Sequence, residues 1–585
     1  MNFIAELKRR NVYRAAAFYA AGGWLLVQVA TQVFPFFDIP NWAVRVVVVA
    51  VIVGFPFELV FSWFYEWTPE GLKRESEVDH SESIMRATGK KLDRWIIAVL
   101  SLAIVLLLAD RFVLQRTDSA APDKSIAVLP LLNESGDPGN EYFSDGLSEE
   151  LIAALAQIGD LKVIGRSSSF RFKGRSEDTK TMGEKLGVAH LLEGTVRRQG
   201  ERVRIVVGLI NAADARQLWS QTYNRELKDI FAVQSEIAQA VADSLKVTLL
   251  GSAVAVRRES STENVEAHNA YLQGHFYLEH NSFDSWPKAI EFFDEAIRLD
   301  PDYALAYAER AQAWSWIASR NPPNVVAARA ASRSDAEKGV ALQPALAAAH
   351  AALGWVRFYV DWNFAEAVAE LRRAEQLAPG NANSKALLSQ VLLYMGQLQE
   401  GSALARQAVE LDPLAYAARS NLARALIFDG RFKEGEAQAQ KATELQPGAL
   451  ASRRWQVIGA VLRGDADTAL REAGIETFQA SERGPTQGFR HFELALAHSA
   501  HGVRADADAA LAELLAQDRN SMGYQIAEVY AWRGETEAAL EWLQRAYDSH
   551  DPGTLAMLVD PLLRGLRNDP RFAMLLGKLG LPAPT

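Results

Sequence analysis

Three long apolar runs dominate the start of the chain, and periodic apolar patterns replace them after residue 124. The most continuous run covers residues 95–114, WIIAVLSLAIVLLLADRFVL, with no charge before Asp110 and Arg111. At a rise of 1.5 Å per residue, about 20 such residues cross a bilayer core of roughly 30 Å, so the run predicts a spanning helix. Residues 15–34 and 43–65 predict two more, the second ending in the interfacial aromatic cluster SWFYEW. A cleaved signal peptide fits less well. The first run is long, carries Gln28 and Gln32, and ends in VFPFFDIP without a small-residue cleavage pattern. The expectation is a membrane region over 1–116 with three transmembrane α-helices.

After a linker over 117–123, the pattern becomes that of a small α/β domain over 124–250. Residues 125–132, SIAVLPLL, read as a buried strand, and 161–164 as a short one. Ser144 or Asp145 can cap a helix reaching Ile158, with Leu147, Leu151, Ile152 and Leu155 on one face. A second helix is predicted over 179–186. Strands follow at 189–198 and 202–211, joined by a turn at Gln199-Gly200-Glu201, with one more at 217–223. An amphipathic helix over 229–249 closes the domain, and the sheet is mixed.

From residue 262 the chain repeats itself. AIRLDP, VALQP, EQLAP, VELDP and TELQP end at Pro301, Pro344, Pro379, Pro413 and Pro447, the later intervals being 34 or 35 residues. A period near 34 with a proline closing each second helix marks tetratricopeptide repeats, an all-α solenoid. About eight helical pairs fit residues 262–549, with a helical cap over 550–585. Small residues stand where paired helices must meet: Ala311, Gly354, Ser389 and Ala423 on first helices, Ala408 and Ala442 on second helices. Tyr307, His350, Lys385 and Arg419 replace the early tryptophan common in such repeats, and the repeats after Pro447 are degenerate. First helices of such stacks line a concave surface. The repeat register aims Gln312, Trp355, Phe358, Gln390, Ser420 and Arg424 at that groove, as candidate contacts for a protein or peptide partner.

Charge adds orientation. Lys8, Arg9, Arg10 and Arg14 precede the first run, none lies in the turn over 35–42, and Lys73, Arg74, Arg86, Lys90, Lys91 and Arg94 lie before the third. This asymmetry predicts a cytoplasmic amino terminus and, in a bacterium, an inner-membrane protein with periplasmic soluble domains. Glu58 inside the second run is a functional candidate or an interfacial carboxylate. The net charge of −10 excludes a broad basic nucleic-acid surface. The absence of cysteine excludes disulfides, thiolate metal sites and thiol nucleophiles.

Two resemblances sharpen this reading. ELKRRNVYRAA, GFPFELVFSWFYEWTPEGLKR and TGKKLDRWIIAVL resemble the three-helix membrane region that begins a widespread group of bacterial proteins. SIAVLPL, EYFSDGLSEELIAALAQI, LKVIGRSSSF, LLEGTVRRQGERVRIVVGLINA, LWSQTYNREL and DIFAVQSEIAQAVADSL resemble the amino-terminal domain of TolB-type proteins. That resemblance implies contact with a membrane-protein partner and assigns no individual contact residue.

Candidate chemistry is sparse. Arg166, Arg171, Lys173 and Arg175 surround Ser167-Ser168-Ser169 as an anion site or a solvated basic loop. Asp137, Glu141, Asp145, Glu149 and Glu150 lack the alternate spacing of a calcium loop. His-Glu-x-x-His, G-x-S-x-G and dinucleotide-binding motifs are absent; residues 87–91, ATGKK, end like a P-loop without its upstream glycine. The expectation is a non-enzymatic, cofactor-free, membrane-anchored interaction scaffold. A transmembrane receptor acting through a separate cytoplasmic protein is the alternative, since related modules also occur behind DNA-binding domains or nucleotide cyclases.

Overall fold

The structure is a computed structural model that describes residues 19–28, 47–51, 53–55, 65–68, 71–74, 124–245, 262–280, 284–319, 324–447, 450–474, 486–517 and 522–583. The chain forms two units, Met1–Thr117 and Asp118–Thr585.

In the first unit, helical segments at 19–28, 47–51 and 53–55 touch. The Tyr19 hydroxyl donates to the Val51 carbonyl at 3.2 Å, and its ring lies 5.9 Å from that of Phe55. Among the described residues no helix is long and apolar enough to cross a membrane. Tyr65, expected to end the second span, instead begins β1 (Tyr65–Thr68), which pairs antiparallel with β2 (Gly71–Arg74). The three-helix membrane architecture is therefore corrected, and with it the integral-membrane assignment and the inner-membrane, periplasm-facing localisation. The run at 95–114, the P-loop-like residues 87–91 and Glu58 lie outside the described residues.

The second unit opens with a mixed sheet. β3 (Ser125–Val128) runs parallel to both β5 (Lys162–Val163) and β6 (His190–Gln199). β6, β7 (Arg202–Asn211) and β8 (Gln217–Glu226) form an antiparallel meander. Pro130 has no N–H for the ladder, so the apolar run stops at Val128 and resumes as β4 (Leu132–Asn133) against β6. Gly200, at φ +61°, makes the β6–β7 turn. Helices α1 (Glu141–Ala156) and α4 (Ile230–Ser244) share a core with the sheet through Leu147, Leu151, Val207 and Ile237. The short α2 (Arg166–Ser169) and α3 (Thr179–Leu186) lie at a second core containing Ile164, Met182 and Leu191. Sequence periodicity missed α2, because four polar residues show no helical stripe.

Helical hairpins follow. Their first helices are α5 (Val265–Glu279), α7 (Ala304–Ala318), α9 (Ala347–Tyr359), α11 (Ala382–Tyr394), α13 (Tyr416–Phe428), α15 (Leu450–Leu462), α17 (Thr486–His501) and α19 (Gly523–Trp532). Their partners are α6 (Ser285–Leu299), α8 (Val325–Leu342), α10 (Phe364–Leu377), α12 (Leu398–Leu411), α14 (Phe432–Leu445), α16 (Ala466–Gly474), α18 (Arg504–Gln517) and α20 (Thr536–Asp548). Close approach explains the small residues. A Cβ on Gly354 would stand 2.6 Å from Leu371, and the Ser389 hydroxyl donates to the Gly401 carbonyl at 2.7 Å. Where a tryptophan is usual, polar groups bond locally instead: Lys385 to Glu375 at 2.7 Å and the Arg419 Nε to the Pro413 carbonyl at 2.8 Å.

The turn between paired helices needs a left-handed residue, supplied by Gly396, Gly430 and Gly464. Trp362 takes that position in the third pair, at φ +55°, and stacks on His550 with ring centroids 3.7 Å apart. His550, itself at φ +59°, follows the last pair, so the solenoid's end folds back onto its middle. Two 3₁₀ turns and α21 (Pro570–Lys578) close the array, burying Leu555, Leu563, Phe572 and Leu576.

Candidate functional site

The α/β domain sits on the inner side of the solenoid, and glycines make that approach possible. The Gly165 N–H donates to the Leu411 carbonyl at 2.7 Å, and the Gly380 N–H to the Ala156 carbonyl at 3.1 Å. A Cβ on Gly380 would stand 2.7 Å from that same carbonyl oxygen, and one on Gly146 would stand 2.5 Å from Leu272. Arg171 donates to the Leu445 carbonyl at 2.8 Å, satisfying a helix end. Between domain and solenoid lies a chamber of about 730 Å³.

Five of the six predicted groove residues line it: Gln312, Trp355, Gln390, Ser420 and Arg424. Gln312, Trp355, Gln390 and Arg424 each stand eleven positions after a repeat-ending proline, which is why four successive first helices present them in one row. Phe358 is corrected. It is 2% exposed, with its ring 5.5 Å from Phe364 and 5.7 Å from Tyr394. Three residues beyond Trp355, at about 100° per residue, it turns toward the paired helix.

The row is knit together. The Gln390 amide donates to the Tyr359 hydroxyl, Arg424 Nη1 donates to the Tyr394 hydroxyl at 2.9 Å, and Arg424 Nη2 donates to Asn421. Sequence reasoning missed Arg454 and Trp455 on the same wall. The signal was present: Arg454 stands 34 residues after Ser420, in a repeat whose degeneracy hid its register.

The opposite end of the chamber is acidic and internally paired. Arg166 meets Glu149 at 2.6 Å and Glu279 at 2.8 Å. His275 is held between Glu149 and Glu309, the latter at 2.7 Å, and Glu309 accepts from the Tyr271 hydroxyl at 2.7 Å. Burial opposes the His275 charge, but the two flanking carboxylates outweigh it and raise the imidazole well above its ordinary value. Burial likewise works against the Glu149 charge, and His275 and Arg166 together hold that carboxyl below its usual range. The basic cluster around Ser167 is therefore not pooled for an anion. Lys173 pairs with Asp145 at 2.6 Å and Glu141 at 2.5 Å, while Asp137 caps Gly139.

No protein-family model matches the chain. A protein of Rhizobium meliloti (strain 1021) named "Putative adenylate cyclase 3" is 37% identical over 185 residues, 32% of this chain and 31% of that protein. The chain thus spans about a third of that curated relative's length. The expectation of a non-enzymatic chain is corrected on this ground, since the relative bears an enzyme's name.

The solved structures it resembles are tetratricopeptide-repeat proteins. YrrB, described as having an unusual peptide-binding site, is 20% identical, with 37% of this chain and 96% of that one covered at a TM-score of 0.25. A thermophilic repeat protein of Thermus thermophilus is 20% identical, covering 33% and 98% at 0.28. A repeat protein of Parabacteroides merdae ATCC 43184 is 14% identical, covering 45% and 99% at 0.32. The solenoid assignment here rests on the helix pairs themselves.

Proposed function

We propose that the chain is a protein-interaction scaffold that takes an extended segment of a partner protein into the solenoid groove beneath the α/β domain. The observation that supports it is the row Gln312, Trp355, Gln390 and Arg424 facing one chamber. Buried aromatic and arginine side chains dominate interaction energies. The TolB-like character read in residues 124–250 belongs to the same proposal, with that domain offering its own surface to a membrane-protein partner. A photo-crosslinking residue at Gln390 of the full chain is expected to capture a partner, and Trp355→Ala with Arg424→Ala to lower the yield at least tenfold. Arg504→Ala, on a side chain that is 81% exposed, should leave it unchanged. Equal capture by all variants would remove the groove from the account.

The 37% identity to a protein named as a cyclase favours a second reading, in which the chain takes part in making a cyclic nucleotide. Incubating the full chain with ATP and Mg²⁺ is then expected to yield cyclic AMP above a heat-inactivated control. No product would set this reading aside.

A further inference from the structure

We propose that the chamber is also a binding site for a small organic anion, a single carboxylate carried on a flat ring. Its volume of about 730 Å³ lies within the range of small-molecule sites, roughly 300–1,000 Å³. Two guanidinium groups on its wall each keep one donor free. Arg424 and Arg454 each keep a buried Nε without a hydrogen-bond partner, and among the described residues neither lies within 4.0 Å of a carboxylate oxygen. A buried N–H without an acceptor is costly, so each Nε favours an incoming oxygen acceptor such as a carboxylate. The contrast with the opposite end is direct, since Arg166 and His275 there are already held by Glu149, Glu279 and Glu309.

Shape selects the rest of the ligand. Trp355 and Trp455 line the same wall, and the Arg454 guanidinium lies 5.2 Å from the Trp455 ring centroid. Indole faces accept a flat ring by offset stacking, and a guanidinium lying over an aromatic ring is set to fork a carboxylate. The neutral amide of Gln390 lines the chamber beside it. The acids across the chamber disfavour a highly charged phosphate relative to a monoanion. The α/β domain covers the concave face through the Gly165–Leu411 and Gly380–Ala156 contacts, which suits a small molecule better than a folded partner. A ligand there meets the side chains proposed above for a partner segment, so the two would compete. The proposal itself stands or falls without the scaffold reading.

The test titrates the full chain calorimetrically with 2-naphthoate, its uncharged isostere 2-naphthamide, and inorganic phosphate. Saturable one-to-one binding of 2-naphthoate is expected, at least tenfold tighter than 2-naphthamide and tighter than phosphate. Arg424→Gln and Arg454→Gln should each weaken it at least tenfold. Equal binding of acid and amide, preference for phosphate, or unchanged affinity in both variants would overturn the proposal. Because either variant could fold poorly, the unaltered chain is also labelled with a diazirine-bearing naphthoate. Label on α9, α11, α13 or α15 supports the site, and label confined to the outer second helices overturns it.

Discussion

Asp412→Ala is expected to open the contact between the α/β domain and the solenoid, at a cost of about 3 kcal/mol. The carboxylate is 7% exposed and accepts from the Ser168 N–H at 2.7 Å and from the Ser168 hydroxyl. That hydroxyl in turn accepts from the Leu414 N–H at 2.7 Å. Alanine leaves two buried donors unpaired, each worth roughly 1–3 kcal/mol. Burial raises the Asp412 carboxyl above its usual value, against the lowering effect of the Ser168 hydrogen bonds. The acceptor oxygen therefore matters more than the charge, and Asp412→Asn should lose only about 1 kcal/mol. Hydrogen exchange reads both variants: amides over 165–172 and 411–416 should exchange roughly a hundredfold faster in Asp412→Ala. Protection unchanged from the parent chain would show that this turn does not hold the domain.

The second large effect is pH-dependent. His275 bonds one carboxyl group through each ring nitrogen, and with both carboxylates ionised each nitrogen donates, as in the doubly protonated ring. Its folded value is raised, with burial opposing and Glu149 and Glu309 prevailing, above an unfolded value of about 6.5. The charged form is thus favoured by folding. Its stabilisation is complete below pH of about 6.5 and is lost as pH rises through the higher folded value. Thermal unfolding should show the wild type losing stability between neutral and alkaline pH. His275→Gln should lower stability at pH 6 by about 3–5 kcal/mol, the cost of breaking a buried pair, and should remove that alkaline slope. Parallel pH profiles for the two proteins would mean that His275 carries no buried charge.

Much of the solenoid was legible because its signal is periodic. The proline-ended second helices and the small residues at 311, 354, 389 and 423 place each hairpin, and the same period puts Gln312, Trp355, Gln390 and Arg424 in one row. The covering of that row was not legible. It depends on Gly146, Gly165 and Gly380, which read in sequence as turn or helix glycines, and on Ser168 and Asp412, 244 residues apart. Arg166 read as part of a basic loop and Glu149 as one of a run of acids, and nothing joined either to His275, because pairing across elements leaves no spacing to find. Hydropathy alone misled at the start of the chain. It counts apolar residues without regard to Gly22, Gly23 and Gly54, where Gly23 and Gly54 bring Val51 and Tyr19 close, and it ended the second span on Tyr65, where a strand begins.

That the α/β domain covers the groove is the claim on which the chamber depends, and engineered cysteines test it most directly. The chain has no cysteine of its own, so any disulfide must join introduced residues. A Cβ built on Gly165 lies 3.0 Å from the Asp412 Cβ, so an outward shift of about 0.5–1 Å brings the pair to the roughly 3.5–4.5 Å that a disulfide bridges. Under mild oxidation, Gly165→Cys with Asp412→Cys is expected to form an intramolecular disulfide in most molecules, shown by loss of alkylatable thiols and by a linked 165–412 peptide. Two thiols that stay free and fully alkylatable, in a variant whose amides over 165–172 and 411–416 exchange no faster than in the parent chain, would contradict the account.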